Sequence, residues 1–237
     1  MDKLFFDTET TGLNPFKDTL ICLGYAINDK PVRISYGFNV KDLKNMFMDP
    51  NYLKIGHNVN FDLLFLNRFG IETIGPYFCT QNVFKILDPY KSVALKDLGL
   101  RYSFIKTSLL LKNLVKQKDI DNTLVKIGCD NTKGYGFIEP QVLEKYLTQD
   151  VELTRKLYNK ALEIGIPEYY MKIDQKLIEP ILKMELNGFK IDSDKLKILQ
   201  QDLMIEIEKL GSYFKELNIN PRSTKQIGKY METQLLK

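Results

Sequence analysis

Leu4-Phe5-Phe6 is a short apolar run that breaks into Asp7-Thr8-Glu9-Thr10, a switch that predicts a buried strand with an acidic tip. Strand side chains alternate, so Asp7 and Glu9 fall on one face and can reach one small volume. Gly12-Leu13-Asn14-Pro15 predicts a turn, residues 19–27 a second apolar strand, and the alternation from Val32 to Tyr36 a third. Three strands on tight turns predict an antiparallel meander on one side of a sheet. Asp42 to Met48 then reads as a short helix and Tyr52 to Gly56 as a fourth strand. In His57 to Phe69, residues Phe61, Leu64, Phe65 and Phe69 are spaced to line one helical face.

Beyond Phe69 the pattern is mainly helical, with turns expected at Asp88-Pro89 and from Asp130 to Gly136. Glu139 to Ile164 predicts a long helix: Glu139-Pro140 suits its start, Leu143, Leu147, Val151 and Leu157 give it an apolar face, and Gly165 and Pro167 end it. A mixed α/β layer arrangement follows for the first 166 residues, with helices flanking a central sheet. From 167 to 237 the strand signals fade. Ile173 to Leu186 predicts an amphipathic helix stopped at Asn187-Gly188, and Asp192 or Ser193 caps a second through about Leu217, striped by Leu196, Leu199, Leu203, Ile207, Leu210 and Phe214. Lys225 to Leu236 completes a helical appendage whose apolar stripe calls for a partner.

An apolar share of 44% in 237 residues fills a substantial core. Cys22, Cys79 and Cys129 lack metal-site spacing, which points to a reducing compartment and against structural zinc. No secretory signal and no long apolar run is read, so the expectation is an intracellular, cytoplasmic protein without membrane contact. The net charge is +4, and between Lys85 and Lys133 ten Lys or Arg face five Asp and no Glu. A basic surface of that kind attracts phosphate backbones.

The chemistry lies in the carboxylates. Two like charges as close as Asp7 and Glu9 need a cation between them, or one must take a proton. A hard divalent ion with oxygen ligands meets that need. Asp62 sits among Phe61, Leu63, Leu64 and Phe65 on a predicted helix, and Tyr146 and Asp150, four apart, share a helical face. Three elements thus supply four carboxylates and a hydroxyl in an order suited to one metal cleft.

Those residues carry a family resemblance. Phe6 to Leu13 (FDTETTGL), Gly56 to Leu66 (GHNVNFDLLFL) and Tyr146 to Asp150 (YLTQD) resemble the three motifs of 3′→5′ exonucleases with an Asp, Glu, Asp, Asp and Tyr active site. The closest likeness is to the proofreading domain of family A DNA polymerases. The resemblance implies a ribonuclease H-like α/β fold and a Mg²⁺-dependent enzyme in which Mn²⁺ can substitute. Asp7, Glu9, Asp62 and Asp150 would hold two ions and Tyr146 would position the attacking water. Thr8, Thr10, Leu13, Asn58 and Phe61 would meet the terminal nucleotide, and Lys96 and Arg101 its phosphates. His57 is a rival base, but the histidine-type relatives carry their histidine in the third motif, where this chain has Tyr146. Its expected role is therefore structural or on the substrate side. One departure is Cys79-Thr80, where these domains commonly have Asp-Thr.

Leu177 to Asp192 (LIEPILKMELNGFKID) and Asn218 to Gly228 (NINPRSTKQIG) resemble the start of the polymerase region in the same family. The expected substrate is single-stranded DNA or a primer 3′ end. The expected partner is a separate DNA polymerase polypeptide, or a second copy meeting through the C-terminal helices. RNA trimming by the same residues is the alternative enzyme reading, and a noncatalytic DNA-binding scaffold the alternative of another class.

Overall fold

The structure is a computed structural model that describes residues 1–36, 40–104 and 140–235. The turn expected between Asp130 and Gly136 and most of the basic stretch lie outside the described residues. Strand β1 (Asp2–Thr10) occupies the middle of a five-stranded sheet of order β3-β2-β1-β4-β5. It pairs antiparallel with β2 (Leu20–Ile27), which pairs antiparallel with β3 (Arg33–Tyr36), so the meander forms one side of the sheet. On its other side β1 pairs parallel with β4 (Tyr52–Gly56), and β4 parallel with β5 (Tyr77–Cys79). Parallel neighbours need crossovers, and α1 (Val40–Met48) and α2 (Val59–Arg68) lie in the chain where those crossovers run.

The alternation along β1 sorts the core into two layers. Phe5 packs with Cys22, Ile55, Phe78 and the buried face of α5 (Pro140–Ile164), namely Leu143, Leu147, Val151 and Leu157. Leu4 and Phe6 point the other way, onto Phe47 of α1 and Val59, Leu63 and Leu66 of α2. Both faces being covered explains why the opening of the chain is continuously apolar rather than alternating. Helices α3 (Thr80–Leu87) and α4 (Leu95–Arg101) follow β5. At three residues β5 is too short for its own pattern to distinguish it from a helix. Lys54 on β4 is fully buried; its ammonium donates to the carbonyls of Asp49 and Ile74, both at 2.6 Å, and burial pulls its pKa down to about 8. Cys22 and Cys79 are buried free thiols.

Contacts divide the chain into Met1–Asn187 and Gly188–Lys237. The sequence suggested 166/167, because Gly165 and Pro167 end α5. The chain instead re-enters the core through a π-helical turn (Tyr170–Asp174) and α6 (Gln175–Asn187). Tyr170 is fully buried and its hydroxyl accepts from the Cys79 N–H at 2.7 Å, while Gln175 Nε2 donates to the Tyr77 carbonyl at 2.8 Å. Ile178 and Leu182 join the layer of α2. A proline stops a helix but does not stop burial.

The second unit holds α7 (Ser193–Glu216) and α8 (Thr224–Leu235). The Asp192 carboxylate caps α7 by accepting from the Lys195 N–H at 3.1 Å. None of the residues of α7 is buried, and Leu196, Leu199, Leu203, Ile207 and Leu210 are each more than half exposed. Among the described residues no helix is long and apolar enough to cross a membrane.

Candidate functional site

The acidic tip of β1 stands at the carboxyl end of the strand. Asp7 pairs with Gly24 of β2 and Glu9 with Cys22, with an irregularity in register between Glu9 and Thr10. Gly24 decides how close α5 comes. A Cβ there would lie 2.7 Å from Leu147 Cγ and 3.1 Å from Val151 Cγ2, so only a glycine lets α5 lie this near the sheet. The next side chains on α5, Tyr146 and Asp150, are thereby brought to the tip of β1.

Asp62 enters from α2, on the opposite layer. Its Oδ1 accepts from the Thr8 N–H at 3.0 Å and the Thr8 hydroxyl at 2.6 Å, so β1 carries two acids and also grips the third. Asn58 makes the turn from β4 into α2 with a left-handed backbone (φ 64°), which asparagine tolerates better than most residues. Its side chain is exposed. Phe61 is half-buried against Phe65, ring centroids 5.0 Å apart.

A cation already sits in the cluster. Lys96, in the first turn of α4, pairs with Asp150 and lies 4.5 Å from the centroid of the Tyr146 ring. His57 fixes the approach to α4: Nε2 donates to the Val93 carbonyl at 2.9 Å, a group that can only accept, so Nδ1 is left to accept from the Thr80 hydroxyl at 2.8 Å. Burial pulls the His57 pKa down to about 4, helped by the Lys96 charge and opposed by the Val93 bond. A neutral imidazole with both nitrogens engaged braces the approach to α4, the arrangement that a structural role calls for.

Burial raises the Asp7 pKa to about 6 against the pull of Lys96 and the Thr8 N–H. Glu9 rises well above the usual carboxylate range, first through burial and then through repulsion from Asp7 and Asp62. Asp62 rises likewise, through burial and Asp7, opposed by its bonds from Thr8. Lys96 is lowered to about 8 by burial, although Asp7 and Glu9 favour its charged form. Among the described residues the cluster holds more acidic groups than the Lys96 ammonium can offset. Its donors are carboxylate oxygens, the set that suits a hard divalent ion. As placed, among the described residues, no three acidic, thiol or imidazole groups close into a ligand shell.

The other expected contacts divide. Leu13 is 85% exposed beside the site-bearing strand. The Thr8 hydroxyl donates to Asp62 and that of Thr10 to the Gly12 carbonyl, both at 2.6 Å, so both threonines, expected to meet substrate, also hold the protein's own geometry. Arg101 donates to the Ser92 carbonyl at 2.6 Å and lies 3.9 Å from Asp88, bracing the loop that leads into α4. Sequence reasoning missed Gly24. The signal was there: a glycine inside an apolar strand marks a close approach of another element.

A profile described as 3′-5′ exonuclease, of the family A DNA polymerase type, matches residues 1–164. The chain is similar to DNA polymerase I of Synechocystis sp., 27% identical over 247 residues, which covers 94% of this chain and 23% of that protein. It therefore spans less than a quarter of that relative's length. Two solved structures share the fold. NrnC of Brucella melitensis with bound Mg²⁺ aligns at a TM-score of 0.54 and 19% identity over 77% of this chain and 80% of that one. The POL domain of Pol1 from M. smegmatis, in complex with DNA primer-template and dNTP, aligns at 0.64 and 16% over 95% and 36%.

Proposed function

This chain belongs to the 3′-5′ exonuclease family of family A DNA polymerases, and we propose that it hydrolyses the terminal phosphodiester at the 3′ end of single-stranded or frayed DNA. The reading is supported by the approach of Asp7, Glu9 and Asp62 to one another, and by Lys96, whose ammonium pairs with Asp150, lies over the Tyr146 ring and feels the charges of Asp7 and Glu9.

Asp7, Glu9, Asp62 and Asp150 would hold two Mg²⁺ ions, with Mn²⁺ able to replace them. When bound, such ions polarise the phosphate and lower the pKa of water. The chain's own residues do the rest. Thr8 holds Asp62 in one orientation. Tyr146, one helical turn before Asp150, orients the attacking water with its hydroxyl. Exposed Leu13 and half-buried Phe61 would offer apolar and aromatic surface to the terminal nucleotide, and exposed Asn58 a polar amide, since bases bind sequence-tolerantly on apolar and aromatic surfaces.

The likeness to a DNA polymerase, which extends beyond residue 164, supports DNA as substrate and proofreading as the task. The bare apolar face of α7 supports contact with a polymerase polypeptide. Release of nucleotides from 3′-labelled single-stranded DNA and from a mismatched primer-template, in Mg²⁺ or Mn²⁺, tests the activity. The expected result is metal-dependent shortening that Asp7→Ala abolishes and that is slower on a matched RNA strand. Equal or faster trimming of RNA would replace DNA as the substrate. Metal-independent binding without cleavage would leave a scaffold.

A further inference from the structure

We propose that the Lys96 ammonium is the resident counter-cation of the metal-free carboxylate cluster and that a divalent ion must displace it to bind, so that Lys96 sets the metal affinity of the site. The proposal rests on the reading of Asp7, Glu9, Asp62 and Asp150 as the metal ligands. Its ground is placement. Lys96 is ion-paired with Asp150, whose side chain is only 8% exposed, and lies against the Tyr146 ring. An ion pair so shielded is screened far less than a surface one. Asp7 and Glu9 are near enough for their charges to act on the same ammonium.

The lysine is held there by its helix rather than by chance of rotamer. Leu98 and Gly99 of α4 are buried, and His57 ties Val93, three residues upstream, to the end of β4. A divalent ion seeking the Asp150 oxygen that Lys96 now occupies meets a like charge at contact distance, where repulsion is largest. Lys96 has a way out, its side chain being 30% exposed. Once displaced it remains at the rim of the site with a full charge, the right place to meet the phosphate of an incoming strand. The metal-free protein thereby has a positive charge beside Asp150, Asp7 and Glu9, at the cost of weaker metal binding.

The test is Mn²⁺ binding to the full chain by calorimetry, with no DNA and no turnover. Lys96→Met is expected to tighten Mn²⁺ about tenfold, the order of effect of removing one adjacent unit charge, and to lower the melting temperature of the metal-free protein. Lys96→Arg, which keeps the charge, is expected to bind within about twofold of wild type. Asp7→Ala is expected to lose the binding. Unchanged or weaker binding in Lys96→Met, while Asp7→Ala still abolishes it, overturns the role of Lys96 alone. Undiminished binding in Asp7→Ala overturns the ligand assignment beneath it. A measurement without variants keeps the question open to refutation if Lys96→Met does not fold: acetylation of wild-type lysines, read by mass spectrometry. Lys96 should react severalfold faster once Mn²⁺ is added, with exposed Lys17 unchanged; an unaltered or slower Lys96 overturns the proposal.

Discussion

Thr8 spends both its backbone N–H and its hydroxyl on one carboxylate oxygen of Asp62, and so a strand residue with no reactive group of its own governs the aim of an acid on another element. Replacing it by valine keeps the shape and deletes one bond. Thr8→Val is expected to lower kcat about 10- to 100-fold, the usual cost of removing a partner that orients a ligand, while Thr8→Ser stays near wild type; steady-state kinetics on 3′-labelled DNA decides. Asp7 makes a prediction about pH. Its folded pKa, about 6, lies above the ordinary 3.8, so the folded metal-free protein binds the extra proton. Stability from this group is present at low pH and is lost as pH rises from about 4 through about 6. Asp7→Asn, which mimics the protonated acid, is therefore expected to be more stable than wild type at pH 8 in EDTA, by about 2–3 kcal/mol, and by only about 1 kcal/mol at pH 4.5. Thermal melts at the two pH values check the sign, and an advantage largest at pH 4.5 would refute it.

At the scale of elements, the site depends on how near α5 lies to β2. Gly24 sets that spacing, with Leu147 Cγ 2.7 Å from where a Cβ would stand. Gly24→Ala forces α5 outward. The expected overpacking cost is about 1–3 kcal/mol, and the loss of kcat should exceed what that destabilisation explains, because Tyr146 and Asp150 ride on the displaced turn. Activity measured well below the melting temperature separates the two effects; full activity in a destabilised Gly24→Ala would show that spacing does not matter. His57 is the second link between elements, joining the end of β4 to the carbonyl that precedes α4. Much of this scale was legible in the sequence. The first four strands, α2 and the long α5 all followed from apolar spacing, because each has enough residues to complete a period. β5 did not, being three residues long.

For the whole molecule, the first unit is closed by residues that follow Pro167. Tyr170, Ile178 and Leu182 each bury a large side chain, worth about 1.5–3 kcal/mol apiece, and Tyr170 and Gln175 bond to the backbone of β5. A chain ending at Asn187 is expected to melt cooperatively within a few degrees of the full chain and to keep its nuclease activity. One ending at Ile166 is expected to lose more than about 4 kcal/mol and to be cut rapidly by trypsin. Equal protease resistance of the two would refute the division at Asn187. The second unit makes its own prediction through α7, whose exposed Leu199, Leu203 and Ile207 form a face that a polymerase polypeptide is proposed to cover. Light scattering on the isolated chain is expected to give a monomer, and a dimer that dissociates in Leu203→Lys would assign that face to a second copy instead.

By itself the sequence determined the order of the elements and the apolar and polar faces, and it singled out Asp7, Glu9, Asp62 and Asp150 with Tyr146 as the candidate site. Local periodicity and motif spacing encode these within a few turns of chain. Only the tertiary structure decided that Thr8 grips Asp62, that Gly24 admits α5, that His57 is a neutral brace, and that Lys96 from α4 lies among the acids. Each of these is a contact between residues far apart in the chain, or a shift in proton affinity caused by burial, and of them only the Gly24 contact left a local mark, a glycine inside an apolar strand.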